Sequence, residues 1–253
     1  MNDVSEARPS VRLARLAFRL TRRGAALWGF VFGIVVVSSA QGYRAAYPSV
    51  ADRQRLVQSL GSNAGLRALF GVPRRLDTVG GFTAWRSLGV LSIAGAVWGL
   101  LTATRALRGE EDAGRGELLL AGPVSRSGAT AAALAGLAGS VGLLAGLTAG
   151  TSPLGGGGIS VSSYAFLAVA LAATPALFVV VGALAAQLAG TRRQAAMVGG
   201  GIFGAWYLLR LVADSGASTG WLRGATPLGW IEELRPMTGS GPARLRRGRL
   251  AHP

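Results

Sequence analysis

The chain has 253 residues, half of them hydrophobic, with a mean hydropathy of +0.42. Its apolar residues fall in long unbroken blocks, the pattern of transmembrane helices rather than of soluble domains. A net charge of +15 would suggest nucleic acid on a soluble surface, but all 26 basic residues are arginines gathered at the ends of apolar blocks, which fits membrane orientation and lipid headgroups instead.

There is no cysteine, so disulfides, thiol catalysis and cysteine metal sites are excluded; the single histidine, His252, reads as a surface residue near the C-terminus. Residues 10–23, "SVRLARLAFRLTRR", alternate at helical spacing. Leu13, Leu16, Ala17 and Leu20 share one face, and Arg12, Arg15, Arg19, Arg22 and Arg23 crowd another. The segment 1–23 is therefore expected to form a basic amphipathic helix at the membrane interface. The first span follows at about 24–43. Ser38-Ser39-Ala40 resembles a signal-peptide cleavage site, yet the twenty apolar residues make about 30 Å of helix, enough to span. Further spans follow, so an uncleaved span is the reading.

Residues 44–82 are mixed and polar, with Pro48 and Pro73, and read as an extramembrane segment with a short helix near 50–60. The second span is expected at about 83–107, with Trp85 and Trp98 as interfacial anchors. The third, 128–150, carries Gly142, Gly146 and Gly150 at every fourth position, a spacing that lets a neighbouring helix approach closely. "TSPLGGGGISVSS" (151–163) is an uncharged loop. It is no phosphate loop, because a Walker A motif requires a lysine and the chain has none. The fourth span, 164–189, contains Pro175, which implies a kink. Arg192 and Arg193 mark a turn, and the fifth span covers 194–212, with Arg210 near enough to its end to snorkel outward. Residues 213–253 are extramembrane. They end in "GSGPARLRRGRLAHP", an atypical tail with four arginines between positions 244 and 249 that reads as truncated or frame-shifted.

Orientation follows from the arginines. With the N-terminus inside, twelve fall on the cytoplasmic side and seven outside up to Val212, which favours a cytoplasmic N-terminus. The loop between the second and third spans is then cytoplasmic. It holds "GEEDAGRGELLLAGPVSR" (109–126), with Glu110, Glu111, Asp112 and Glu117, four of the eleven acids, within eight positions. Acids suit the first turn of a short helix, Glu111 and Arg115 stand four apart in the favourable order, Leu118 and Leu119 add an apolar patch, and Pro123 limits continuation. Such a helix is suited to dock on another protein. Two plainer readings compete: a divalent-cation site, although the spaced ligands of an EF-hand loop are missing, and a solvated charged turn.

These residues resemble a family. "RGEEDAGRGELLLAGPVSR" is similar to the intracellular segment between the second and third spans of ABC-2 type transporter permeases, and more narrowly of actinobacterial antibiotic exporters of the tetronasin type. "TPLGWIEELRPMTGS" (226–240) resembles the segment after that family's fifth span. The likeness is to the N-terminal half of such a permease. It implies pairing with a separate ABC ATPase through a coupling helix, made here by Glu110, Glu111, Asp112, Arg115, Glu117, Leu118, Leu119, Pro123 and Arg126. A second permease half or a homodimer and membrane lipids are the other implied partners, with no nucleic acid.

The expected fold is all-α: a polytopic plasma-membrane protein of about five transmembrane helices, an N-terminal amphipathic helix and a short coupling helix. The expected function is the permease subunit, or half, of an exporter of hydrophobic antibiotics or drugs. No catalytic residue, metal or cofactor is assigned. The alternative is a non-transporting scaffold or regulator derived from a truncated permease. A membrane-embedded enzyme ranks third, because the five expected spans contain no Asp or Glu.

Overall fold

The computed structural model describes residues 3–61, 63–112, 125–215 and 219–238. It is 86% helical, with no strand among the described residues. Five helices are long and apolar enough to cross a membrane: α1 (Asp3–Ala46), α4 (Val79–Asp112), α5 (Arg126–Thr151), α6 (Val161–Leu188) and α7 (Arg192–Ser215). Between the first two lie α2 (Val50–Gly61) and α3 (Ala64–Phe70), and after the last comes α8 (Pro227–Glu233). The all-α polytopic fold is as expected.

The basic segment before the first span runs into it without a break. The membrane-compatible part, Ser10–Ala46, has 37 residues, or about 55 Å of helix against a hydrocarbon core of about 30 Å. The helix is thus longer than one crossing needs, and its early turns rest on α5. A methyl group on Gly136 would fall 2.4 Å from the Ala14 carbonyl oxygen, and the Thr21 and Ser140 hydroxyls lie 2.6 Å apart. Ala17 is buried there, whereas Leu16 and Leu20 stay exposed.

α1 and α5 run parallel. Gly29 meets Leu144 and Leu147, Gly33 meets Thr151, and the Thr148 hydroxyl donates to the Gly29 carbonyl at 3.2 Å. The α5 face that touches α1 is thus 136, 140, 144, 148 and 151. Gly142, Gly146 and Gly150 lie on the other side, and a methyl group on any of them would meet nothing within 4 Å. The expected packing stripe has no neighbour among the described residues. At 100° per residue, 142 stands 200° round from 140, so the two faces cannot both meet α1.

The second parallel pair is α4 with α6. Gly95 and Gly99 form a notch filled by Pro175, and Gly182 fits against Leu100 and Ala103. Where the two pairs meet, Phe32, Val36, Leu91, Leu137, Leu167 and Leu171 make the main core. In lipid this core is held by van der Waals fit rather than by exclusion of water, which is why small residues mark the closest approaches.

Trp85 departs from its expected place as an interfacial anchor. It is buried among Phe70 and Phe82, and its indole N–H donates to the Gly71 carbonyl at 2.8 Å. Trp98 is half-buried beside the main core.

Candidate functional site

The sequence points to 109–126, at one end of the bundle. Glu110, Glu111 and Asp112 form the last turn of α4, and Arg126 opens α5; their side chains, and all of Arg115, Glu117, Leu118, Leu119 and Pro123, lie outside the described residues. What surrounds the segment is described. Just before it, Arg108 Nε donates to the Ala186 carbonyl at 2.8 Å, and Leu107 packs on Ala185, Ala186, Ala189 and Ala195. Just after it, Ser125 caps α5, its hydroxyl accepting from Gly128 N at 3.1 Å. The nearby start of α7 is closed by a reciprocal box: Gln194 N donates to Thr191 Oγ1, and Gln194 Oε1 accepts from Thr191 N and Gly190 N. The acidic segment is therefore slung between two anchored helix ends, one of them fixed to the α6–α7 corner.

The opposite end carries a charge cluster that the sequence reading missed. Arg210 does not snorkel outward. It is 4% exposed, with Asp214 Oδ2 at 3.6 Å and Glu232 Oε2 at 3.3 Å from its Nε. Asp214, fully buried, also accepts from Arg223 Nε at 2.6 Å. Glu232 Oε1 accepts from Val72 N at 2.8 Å, and Glu233 pairs with Arg74 at 3.0 Å. Four separate pieces of chain are joined: the end of α7, the turn 220–225, α8, and the link between α3 and α4.

Local chemistry builds this cap. The Thr226 hydroxyl accepts from Gly229 N, and Pro227 opens α8. Gly229 must be glycine, since a methyl group there would lie 2.2 Å from the Arg223 carbonyl oxygen. Gly71 ends α3 at φ 86, and a side chain on it would strike Glu232 and Arg210. Two signals could have disclosed the cluster: the i,i+4 spacing of Arg210 and Asp214, and three of only eleven acids placed at 214, 232 and 233.

Burial pushes the Glu232 carboxyl above its ordinary value of 4.5, outweighing the opposing pull of Arg210. The folded state therefore holds that proton more tightly than the unfolded state. Glu232's contribution is fully present below 4.5 and declines as pH rises through the raised value. Glu232→Gln keeps an acceptor for Val72 N and removes the titration. Thermal unfolding in detergent across acidic to neutral pH should show a flatter profile for the variant, with neutral-pH stability equal to or above that of the native protein. The cavity bounded by Phe70, Trp85, Leu88, Ser92, Arg210 and Glu232 has about 40 Å³, room for little more than a water. The cluster is a structural lock, with no space for a drug.

The described residues thus form a helical bundle with five helices long and apolar enough to cross a membrane, with a charge-linked cap at the end opposite Ser125. Residues 13–240 match the family described as "Multidrug efflux system permease Rv1217c, C-terminal domain", and the chain belongs to that family. It is 32% identical over 237 residues to the multidrug efflux system permease protein Rv1217c of Mycobacterium tuberculosis (strain ATCC 25618 / H37Rv), an overlap covering 90% of this chain and 40% of that protein. The chain thus spans less than half the length of that relative. The sequence resemblance led to the N-terminal half of a permease, whereas the family that matches is defined on a C-terminal domain.

Proposed function

We propose that the chain is a permease component of an exporter that moves hydrophobic antibiotics or drugs, driven by ATP hydrolysed on a separate subunit. The observation that carries this reading is the match of residues 13–240 to the multidrug efflux permease family. ATP chemistry is assigned to a partner because the chain lacks the lysine of a Walker A motif. Within efflux permeases, the likeness of the segments 109–126 and 226–240 supports the tetronasin type. A second permease half, or a second copy of the chain, completes the translocation path.

Residues 109–126 are the docking segment. Glu110, Glu111, Asp112, Arg115, Glu117 and Arg126 supply polar contacts, Leu118 and Leu119 the packing, and Pro123 the stop. The N-terminus and this segment are cytoplasmic. When the ATPase closes on ATP it displaces the segment, and the displacement reaches α4 directly. Through the Pro175 notch and the Arg108–Ala186 hydrogen bond it reaches α6 and the α6–α7 corner. Helices joined in this way shift as rigid bodies between two access states. Replacing the four acids by Asn or Gln, together with Leu118→Ser and Leu119→Ser, is expected to abolish co-purification with the ATPase while leaving membrane insertion intact. Full co-purification of that variant would show that docking lies elsewhere.

A further inference from the structure

At the capped end, between α2, the 75–80 turn, the glycine loop and the start of α6, lies an open cavity of about 650 Å³. That volume is within the range of sites that take drug-sized ligands, roughly 300–1,000 Å³. Its lining is of two kinds: the apolar Val79, Ile159, Phe166 and Met237, and the charged Arg53, Arg75 and Asp77.

One arginine has no carboxylate partner among the described residues, and the other has an exposed one. Arg53 is held by carbonyls alone, donating from Nε to Tyr47 O at 3.1 Å and from Nη2 to Pro48 O at 3.3 Å, and its guanidinium lies 5.9 Å from the Tyr43 ring centre. No carboxylate is within ion-pair distance of it among the described residues. Arg75 faces Asp77 at 3.5 Å, with both side chains more than half exposed, so solvent screens the pair and holds it weakly. The Arg75 backbone is fixed in the left-handed region at φ 54, its carbonyl accepting from Thr78 N and Thr78 Oγ1. Non-glycine residues are held in that region only against backbone strain, and such positions cluster at functional sites. Arg44 lies against Gly156 and Gly157 of the glycine loop. In the proposed orientation these cations are on the outer side, where the charge rule disfavours arginine, so topology does not account for them.

We propose that this cavity binds an amphiphile with a single acidic headgroup, a carboxylate or phosphate monoester, placed between Arg53 and Arg75 with its hydrocarbon body against Ile159 and Phe166. The proposal rests on the export reading and narrows it, making acidic amphiphiles the molecules handled at the outer mouth. Two sources share this chemistry: a molecule in transit, and the headgroup of an anionic membrane lipid.

The test is equilibrium binding of hexyl phosphate to the purified full chain in a neutral detergent. Saturable binding is expected, with no competition from hexanol or inorganic phosphate. Arg53→Gln with Arg75→Gln should weaken it about tenfold or more, as loss of charge-assisted hydrogen bonds implies. Ile159→Trp, which fills space at an apolar lining residue and keeps both arginines, should also weaken it, while Arg55→Gln outside the cavity should not. Displacement by phosphatidic acid, itself a phosphate monoester, in nanodiscs identifies a lipid site, and resistance to it a transit site; both support the proposal. Equal binding by the double arginine variant, or equal competition by hexanol, overturns it. Binding is read without the ATPase, so failed efflux with intact binding counts against the export reading alone. Intact efflux with arginine-insensitive binding counts against this cavity alone.

Discussion

Arg210→Gln is expected to destabilise the protein by about 3–5 kcal/mol, the usual cost of removing one partner from a buried ion pair. The cause is what remains. Asp214 is fully buried, and Glu232 is 14% exposed at its side chain. Without Arg210, Asp214 retains only Arg223 and Glu232 only the Val72 N–H. Arg210→Lys should fall between native and Gln, since a point ammonium cannot serve both carboxylates as a planar guanidinium does. The decisive comparison is rescue. Adding Glu232→Gln to Arg210→Gln removes the carboxylate left without a cation and keeps the Asp214–Arg223 pair, and most of the lost thermal stability should return. A single variant that unfolds at the native temperature, or a double variant as unstable as the single, would show that the cluster does not hold the cap.

Gly99→Ala should disrupt the α4–α6 pair. A methyl group there would lie 2.4 Å from the Pro175 carbonyl oxygen and 3.1 Å from its Cα, backbone atoms that cannot rotate aside. The helices must separate, at a cost of about 1–3 kcal/mol. Gly146→Ala on α5 is the matched control, since nothing lies within 4 Å of its added methyl and alanine is the better helix former by about 1 kcal/mol. Thermal unfolding should place Gly99→Ala well below native and Gly146→Ala at or above it. Under the proposed coupling, in which this notch passes the motion of α4 to α6, the Gly99→Ala substitution should reduce efflux beyond the loss of protein.

The five spans were legible because apolar runs longer than a bilayer leave few alternatives. Each expected span lies inside a helix, save that the fourth was extended by one residue, to Ala189. Pairing was harder to read. Gly142, Gly146 and Gly150 signal that a close approach is possible on their face, while the approach to α1 uses Gly136 and Gly139, whose three-residue spacing makes no repeat. Arg210 was misjudged because its partner Glu232 returns from 22 residues downstream, and span-end position alone suggests snorkelling. Trp85 was misjudged for the same reason: Gly71 folds back over it. The acidic segment shows in the sequence through charge density and family likeness; of its surroundings, the hydrogen bond from Arg108 to Ala186 and the Ser125 cap are described.

Export itself meets its most direct test in whole cells. A lipophilic fluorescent dye is loaded into cells lacking the gene, then into cells given the chain in its native gene context with the ATPase, and its accumulation is followed. Lower accumulation with the chain is expected, returning to the level of the deleted strain when the ATPase carries a substitution of its phosphate-loop lysine. Identical accumulation with and without the chain, or efflux that persists with the inactive ATPase, would contradict a permease driven by a separate ATP-hydrolysing subunit.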